Sequence, residues 1–305
     1  MGRGAAEIRV EGRMDQQAAR RESRFLTAAD GLRLHYVDYV PAVRSEATPV
    51  VCLPGLTRSA EDFERLAEAL AAMGRRVLAL DYRGRGLSDR DPDWRRYSLD
   101  VEEADIVATL AAAGVERAVF VGTSRGGIHV MRFAARRPAI LRAAVVNDIG
   151  PVVDAGGLRR IKSYVGRLPT VGSLPIALAA LKLVAGPQFT ALSQDEWEAF
   201  ARATFAEADG RLELRYDPEL SHVLDEIGPE SGPLLFTEEW RAMAPIPTLV
   251  IRGGNSDLLS QETFDAMAEG HPLVERLTVE GQGHAPLLLD APTIRAVADF
   301  VQRRG

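Results

Sequence analysis

The sequence predicts an α/β protein: a mostly parallel sheet flanked by helices, interrupted once by a helical insertion. Two observations carry this. Short apolar runs ending in glycine turns alternate with helical segments, the pattern of strands joined by crossover helices. That alternation then lapses from Pro151 to about Met243 and afterwards resumes.

In chain order, Leu32–Val40 alternates apolar and polar residues and reads as an antiparallel edge strand. Thr48–Gly55 reads as a buried strand ending in a turn. A helix follows over Ser59–Gly74, with Ser59 as N-cap, Asp62 three residues on, and Gly74 at its end. RRVLALDYRG is a second buried strand ending near Asp81. YSLDVEEADIVATLAAAG is helical, capped by Ser98 or Asp100. The strand Ala118–Ser124 runs directly into a helix stopped by Pro138. Ala143–Gly150 is a further strand. The insertion holds helical patterns without strands, with Trp197, Phe200 and Phe205 at helical spacing for packing. Pro247–Gly254, the helix SQETFDAMAEG, the strand VERLTVE and a helix over Pro292–Arg303 complete the chain.

Composition narrows the function. Of 305 residues, 46% are hydrophobic and 26% charged, an ordinary globular balance. A net charge of −6, with basic residues dispersed, argues against nucleic acid or an anionic membrane surface as partner. Cys52 is the one cysteine, which excludes an internal disulfide and a cysteine-based metal cluster. Residues 1–24 read as a mobile polar tail without a signal-type apolar run, and no stretch suits a membrane span. A cytoplasmic protein is therefore expected, without cofactor or metal, acting on a small molecule. A homo-oligomer is left open.

The chemistry concentrates at GTSRG, Gly122 to Gly126. It fits G-x-S-x-G between a strand and a helix, where a serine stands on a tight turn. Ser124 is the expected nucleophile. It needs a base, and of the five histidines His284, in the loop GQGHAP, is the candidate. His35, His129, His222 and His271 read as surface or packing residues. The base in turn needs an acid, and Asp257 in GGNSD follows a strand end in the order Ser, Asp, His. Arg125, next to the nucleophile, would pair either with a substrate carboxylate or with an acidic residue such as Asp148. The segment Asp81–Asp89, DYRGRGLSD, reads as a scaffold loop near the site.

Taken together, LPGL, DYRGRGLSD, GTSRGG, NDIGP, GGNSD and GQGHAP, in this order from Leu53 to Pro286, resemble the α/β-hydrolase superfamily. The resemblance covers the chain from about Phe25 onward. It implies an eight-stranded type of sheet, with 25–150 and 244–305 as core and 151–243 as a helical cap after the sixth strand. It implies a Ser124–Asp257–His284 triad, with Asp148 as the alternative acid, because some members take the acid from that strand. It also implies an oxyanion hole from the backbone N–H groups of Leu56 and Arg125. Most members carry His-Gly where Pro54-Gly55 stands here. Hydrolysis of an ester or lactone through an acyl-enzyme is the function it implies. The alternatives are hydrolytic C–C cleavage of a dienoic diketone and a non-catalytic ligand sensor. C–C hydrolases often carry an aromatic residue where Ala285 follows the histidine.

Overall fold

A computed structural model describes residues 19–43, 45–168 and 170–305. The elements in chain order begin with β1 (Arg20–Thr27), β2 (Arg33–Val40), β3 (Val50–Leu53), α1 (Glu64–Ala72) and β4 (Val77–Asp81). There follow α2 (Leu99–Ala112), β5 (Ala118–Thr123), α3 (Arg125–Arg136) and β6 (Leu141–Asn147). The insertion contains β7 (Val152–Val153), α4 (Ala155–Tyr164), α5 (Leu174–Ala185) and α6 (Gln194–Thr204). It continues with β8 (Phe205–Ala208), β9 (Arg211–Leu214), β10 (Leu234–Leu235) and α7 (Thr237–Ala242). The chain ends with β11 (Thr248–Gly253), α8 (Gln261–Ala266), β12 (Val274–Val279) and α9 (Ala291–Arg304).

Eight strands form one sheet in the order β1-β2-β4-β3-β5-β6-β11-β12. The pairs β1/β2 and β2/β4 are antiparallel, and every later pair is parallel. Both faces of the central strands are covered, which is why those strands read as unbroken apolar runs. In β3, Val51 and Leu53 point into one core layer with α2 and α3. Val50 and Cys52 point into the other, against α1 and α9. Cys52 is wholly buried, and burial pushes its thiol pKa well up.

Four expectations need correction. The segment Leu32–Val40, read as an edge strand, is β2 and lies inside the sheet between β1 and β4. The segment read as tail begins the sheet at Arg20: β1 pairs with β2 from Arg20↔Val40 to Thr27↔Arg33. Its polar composition is that of an edge strand, which keeps charge outward. Residues 1–18 of that expected tail lie outside the described residues. Ser59 is no side-chain cap; a 3-10 turn over Ala60–Phe63 precedes α1, and Asp81 Oδ1 takes the Ala60 N–H at 2.7 Å. Finally, the insertion is not strandless. β7 pairs with β10, and β8 with β9.

The insertion has an apolar cluster of its own, built on Trp197, Phe189, Phe205 and Leu181. Its helix α6 starts with a full capping box, Ser193 and Glu196 satisfying each other's backbone. Among the described residues no helix is long and apolar enough to cross a membrane.

Candidate active site

The turn between β5 and α3 forces Ser124 to φ 52° and ψ −113°, a strained backbone for a residue with a side chain. Tight packing holds it there. A methyl group on Gly122 would strike the Gly126 carbonyl, and one on Gly126 would strike the Leu53 carbonyl. Both glycines of GTSRG are thus required by the approach of backbone to backbone. The turn lifts the Ser124 side chain into a cavity between the sheet's carboxyl edge and the insertion.

There Ser124 Oγ lies 2.8 Å from His284 Nε2. On the other side of the ring, Nδ1 lies 2.8 Å from Asp148 Oδ2. The histidine side chain is 6% exposed and that of Asp148 is fully buried. The loop is fixed from two sides. Gln188 of the insertion accepts the His284 N–H at 3.0 Å, and Asn147 Nδ2 donates to the Pro286 carbonyl at 2.9 Å.

The carboxylate on the ring therefore belongs to Asp148, not to Asp257 as the GGNSD loop suggested. β6 and β11 are neighbours, so both strand ends open beside the histidine loop. The turn after β11 spends its polar groups on Asp148: Gly253 N–H reaches Oδ1 at 2.7 Å and Ser256 Oγ reaches Oδ2 at 2.6 Å. Asp148 itself takes a positive φ of 57° to face the ring. Asp257 turns instead to Arg160 of α4, which grips it with Nε at 2.5 Å and Nη2 at 2.9 Å. Although burial alone would raise it, this pairing holds the Asp257 pKa below the ordinary value.

Leu56 lines the cavity, and a methyl group on Gly55 would sit 3.8 Å from Ser124 Cβ. Pro54 in place of the expected histidine thus leaves the turn against the serine. The N–H groups of Leu56 and Arg125 donate to no acceptor among the described residues. The Leu56 peptide is oriented from behind, because Arg85 Nε donates to its carbonyl at 2.8 Å.

The side chain of Arg125 turns inward to an acidic partner and does not line the cavity. Its Nε donates to Glu102 at 2.6 Å and its Nη2 to the Tyr97 carbonyl at 3.0 Å. Glu102 also faces Arg85 Nη1 at 2.9 Å and His129 Nε2 at 3.0 Å, all buried. Burial would raise the Glu102 pKa, but Arg125 and Arg85 hold it well below the usual carboxylate range. Glu102 precedes the elbow by more than twenty residues on α2, and no local pattern signalled this pairing.

The other histidines pack away from the cavity. His222 sits on the surface against Asp225, and His271 packs on Trp240. His35 is more unusual. Its Nδ1 lies 2.7 Å from Asp81 Oδ2 and its Nε2 2.7 Å from Ser23 Oγ. Asp81 also takes the Leu87 N–H at 2.9 Å, so this group clamps the DYRGRGLSD loop and pins β1.

The cavity is open to solvent at its mouth, and its empty space counted out into that solvent is about 1060 Å³. Its wall is mainly apolar, with Leu168, Leu181, Val184, Phe189 and Phe200 from the insertion facing Ser124 and His284. Such a hollow suits a small organic ligand.

Comparison with known proteins agrees with this fold. The model of the alpha/beta hydrolase fold family matches residues 48–291. A 3-hydroxybutyrate-oligomer hydrolase of Cupriavidus necator is 32% identical, over 82% of this chain and 87% of its own. An sn-1-specific diacylglycerol lipase of Mus musculus is 28% identical, over 77% of this chain and 74% of its own. The crystal structure of an alpha/beta hydrolase from Novosphingobium aromaticivorans superposes with a TM-score of 0.86 at 38% identity, covering 94% of this chain and all of that one. By sequence, by sheet order and by the turn that carries Ser124, the chain belongs to the alpha/beta hydrolase fold family.

Proposed function

We propose that this hydrolase cleaves a carboxylic ester or lactone of a small molecule through an acyl-enzyme on Ser124. One observation carries the reading: a serine on a strained elbow, hydrogen-bonded in series to His284 and Asp148, opens into an apolar cavity. His284 Nε2 takes the hydroxyl proton as Ser124 Oγ attacks the carbonyl carbon. Asp148 holds the ring through Nδ1 and stabilises the imidazolium. The Leu56 and Arg125 N–H groups receive the developing oxyanion, each worth a factor of about 10² to 10³ in rate. His284 then returns the proton to the leaving alkoxide. Water, deprotonated by the same ring, breaks the acyl-enzyme and frees Ser124. The insertion acts as the cap that shapes the cavity and excludes bulk water.

Ester chemistry is favoured over C–C cleavage because the oligomer hydrolase and the diacylglycerol lipase, both similar over most of the chain, are named for hydrolysing such compounds. The test is to follow a short p-nitrophenyl ester and a fluorophosphonate probe. Many turnovers on the ester, together with labelling of Ser124, are the expected result. A single turnover, or labelling elsewhere, would overturn the reading.

A further inference from the structure

We infer that Arg160, with Tyr164 beside it, forms a subsite for a carboxylate carried by the substrate. The favoured substrate is then an ester with a free acid group away from the bond being cut. This deepens the hydrolase reading and rests on it for the use of the cavity.

Two arginines face the largely apolar wall, Arg58 and Arg160. Arg58 is spent. Its Nε and Nη2 donate to Asp62 at 2.7 and 2.5 Å, and its Nη1 to Thr204 Oγ1 at 2.6 Å. Arg160 is not. Its Nε and Nη2 grip Asp257, and what remains of the guanidinium faces, among the described residues, only the Tyr164 phenol. The side chain is 28% exposed, and its surface belongs to the same cavity as Ser124 and His284.

The two-pronged grip of Asp257 fixes the plane of the guanidinium, so the edge it shares with Tyr164 is presented with little rotamer freedom left to lose. Tyr164 lies beside it, its ring centre 5.8 Å from the guanidinium carbon, and lines the same cavity. A cationic N–H edge near a phenol in an apolar wall matches a carboxylate oxygen better than a neutral carbonyl, because charge-assisted hydrogen bonds are roughly twice as strong. Asp257, which the sequence suggested as the acid for His284, becomes the residue that positions this arginine. The carboxylate recognition once conceivable at Arg125 moves to the cap.

A rival role for the Arg160–Asp257 pair is a latch that merely ties α4 to the loop after β11. Calorimetric titration of Ser124→Ala protein with monomethyl glutarate and with dimethyl glutarate separates the two. The monoester is expected to bind more tightly than the diester. Arg160→Gln should shrink that ratio roughly 10-fold, and Arg160→Lys, which keeps the cation but not the fork, should retain part of it. A ratio unchanged in both variants, or a preference for the diester in the parent, overturns the subsite. Wild-type turnover of the neutral p-nitrophenyl butyrate reports separately on the hydrolase reading. Its absence, with selective monoester binding intact, would count against catalysis and leave the subsite standing.

Discussion

Two Ser–His–Asp series of nearly equal hydrogen-bond lengths occur in this molecule. One joins Ser124, His284 and Asp148, with both links at 2.8 Å; the other joins Ser23, His35 and Asp81, with both at 2.7 Å. Interatomic distance alone therefore does not distinguish a nucleophile from a clamp. The surroundings of the two serines differ, and the proposed role of Ser124 rests on that difference. Ser124 stands at a strained positive φ, beside free N–H groups and in a mainly apolar cavity. Ser23 lies exposed on an edge strand outside that cavity. Asp81 divides its oxygens between His35 and the amides of Ala60 and Leu87, as a strut would.

The sharpest way to break this contrast is to delete each hydroxyl. Ser124→Ala should lower ester turnover by about 10⁴-fold or more, whereas Ser23→Ala should leave it within about 2-fold, because Ser23 lies on the edge strand outside the cavity. Comparable losses in both variants, measured as kcat/KM, would erase the distinction.

Next in size is the choice between carboxylates. Asp148→Asn should cost roughly 10³- to 10⁴-fold in kcat, since the amide no longer fixes the ring's tautomer. Asp257→Asn should cost less than about 10-fold on a neutral ester, as its partner is Arg160. The reverse ranking would restore the acid suggested by the GGNSD loop.

A third test concerns what lies behind the elbow. Glu102 is the shared counter-ion of Arg85 and Arg125, which carry the Leu56 carbonyl and the first residue of α3. Glu102→Gln should lose about 3–5 kcal/mol of unfolding free energy by leaving buried cations uncompensated. The pH dependence has a definite sign. Its folded pKa is depressed, so its stabilisation is complete above the unfolded value near ~4.3 and drains away as pH falls through the folded value. Denaturant melts from pH 7 downward should show wild type converging on the Gln variant in acid. The smallest effect belongs to Ser23→Ala again, as a stability change of about 1 kcal/mol or less.

How much of this was legible follows the same divide between local and distant causes. The elbow, the sheet and the histidine loop are written locally, as glycine spacing, apolar runs and a loop before a helix. The acid was not, because Asp148 and Asp257 both follow the ends of adjacent strands and only the fold of the Gly253–Ser256 turn decides which faces the ring. β1 was hidden because an edge strand's polar residues look like a solvated tail until its partner is known. The Arg160–Asp257 and Arg125–Glu102 pairs join residues far apart in sequence, so no spacing announced them.

Cys52, at the centre of β3, has a further experimental consequence. Its sulfur meets neither solvent nor reagent while the central strands hold, and a buried thiol is a poor nucleophile. Alkylation by iodoacetamide must therefore wait for the sheet to part. The protein carries its own stopwatch for global opening, readable by mass spectrometry on the unlabelled wild-type chain, and any variant above can be ranked by how fast that single tag arrives.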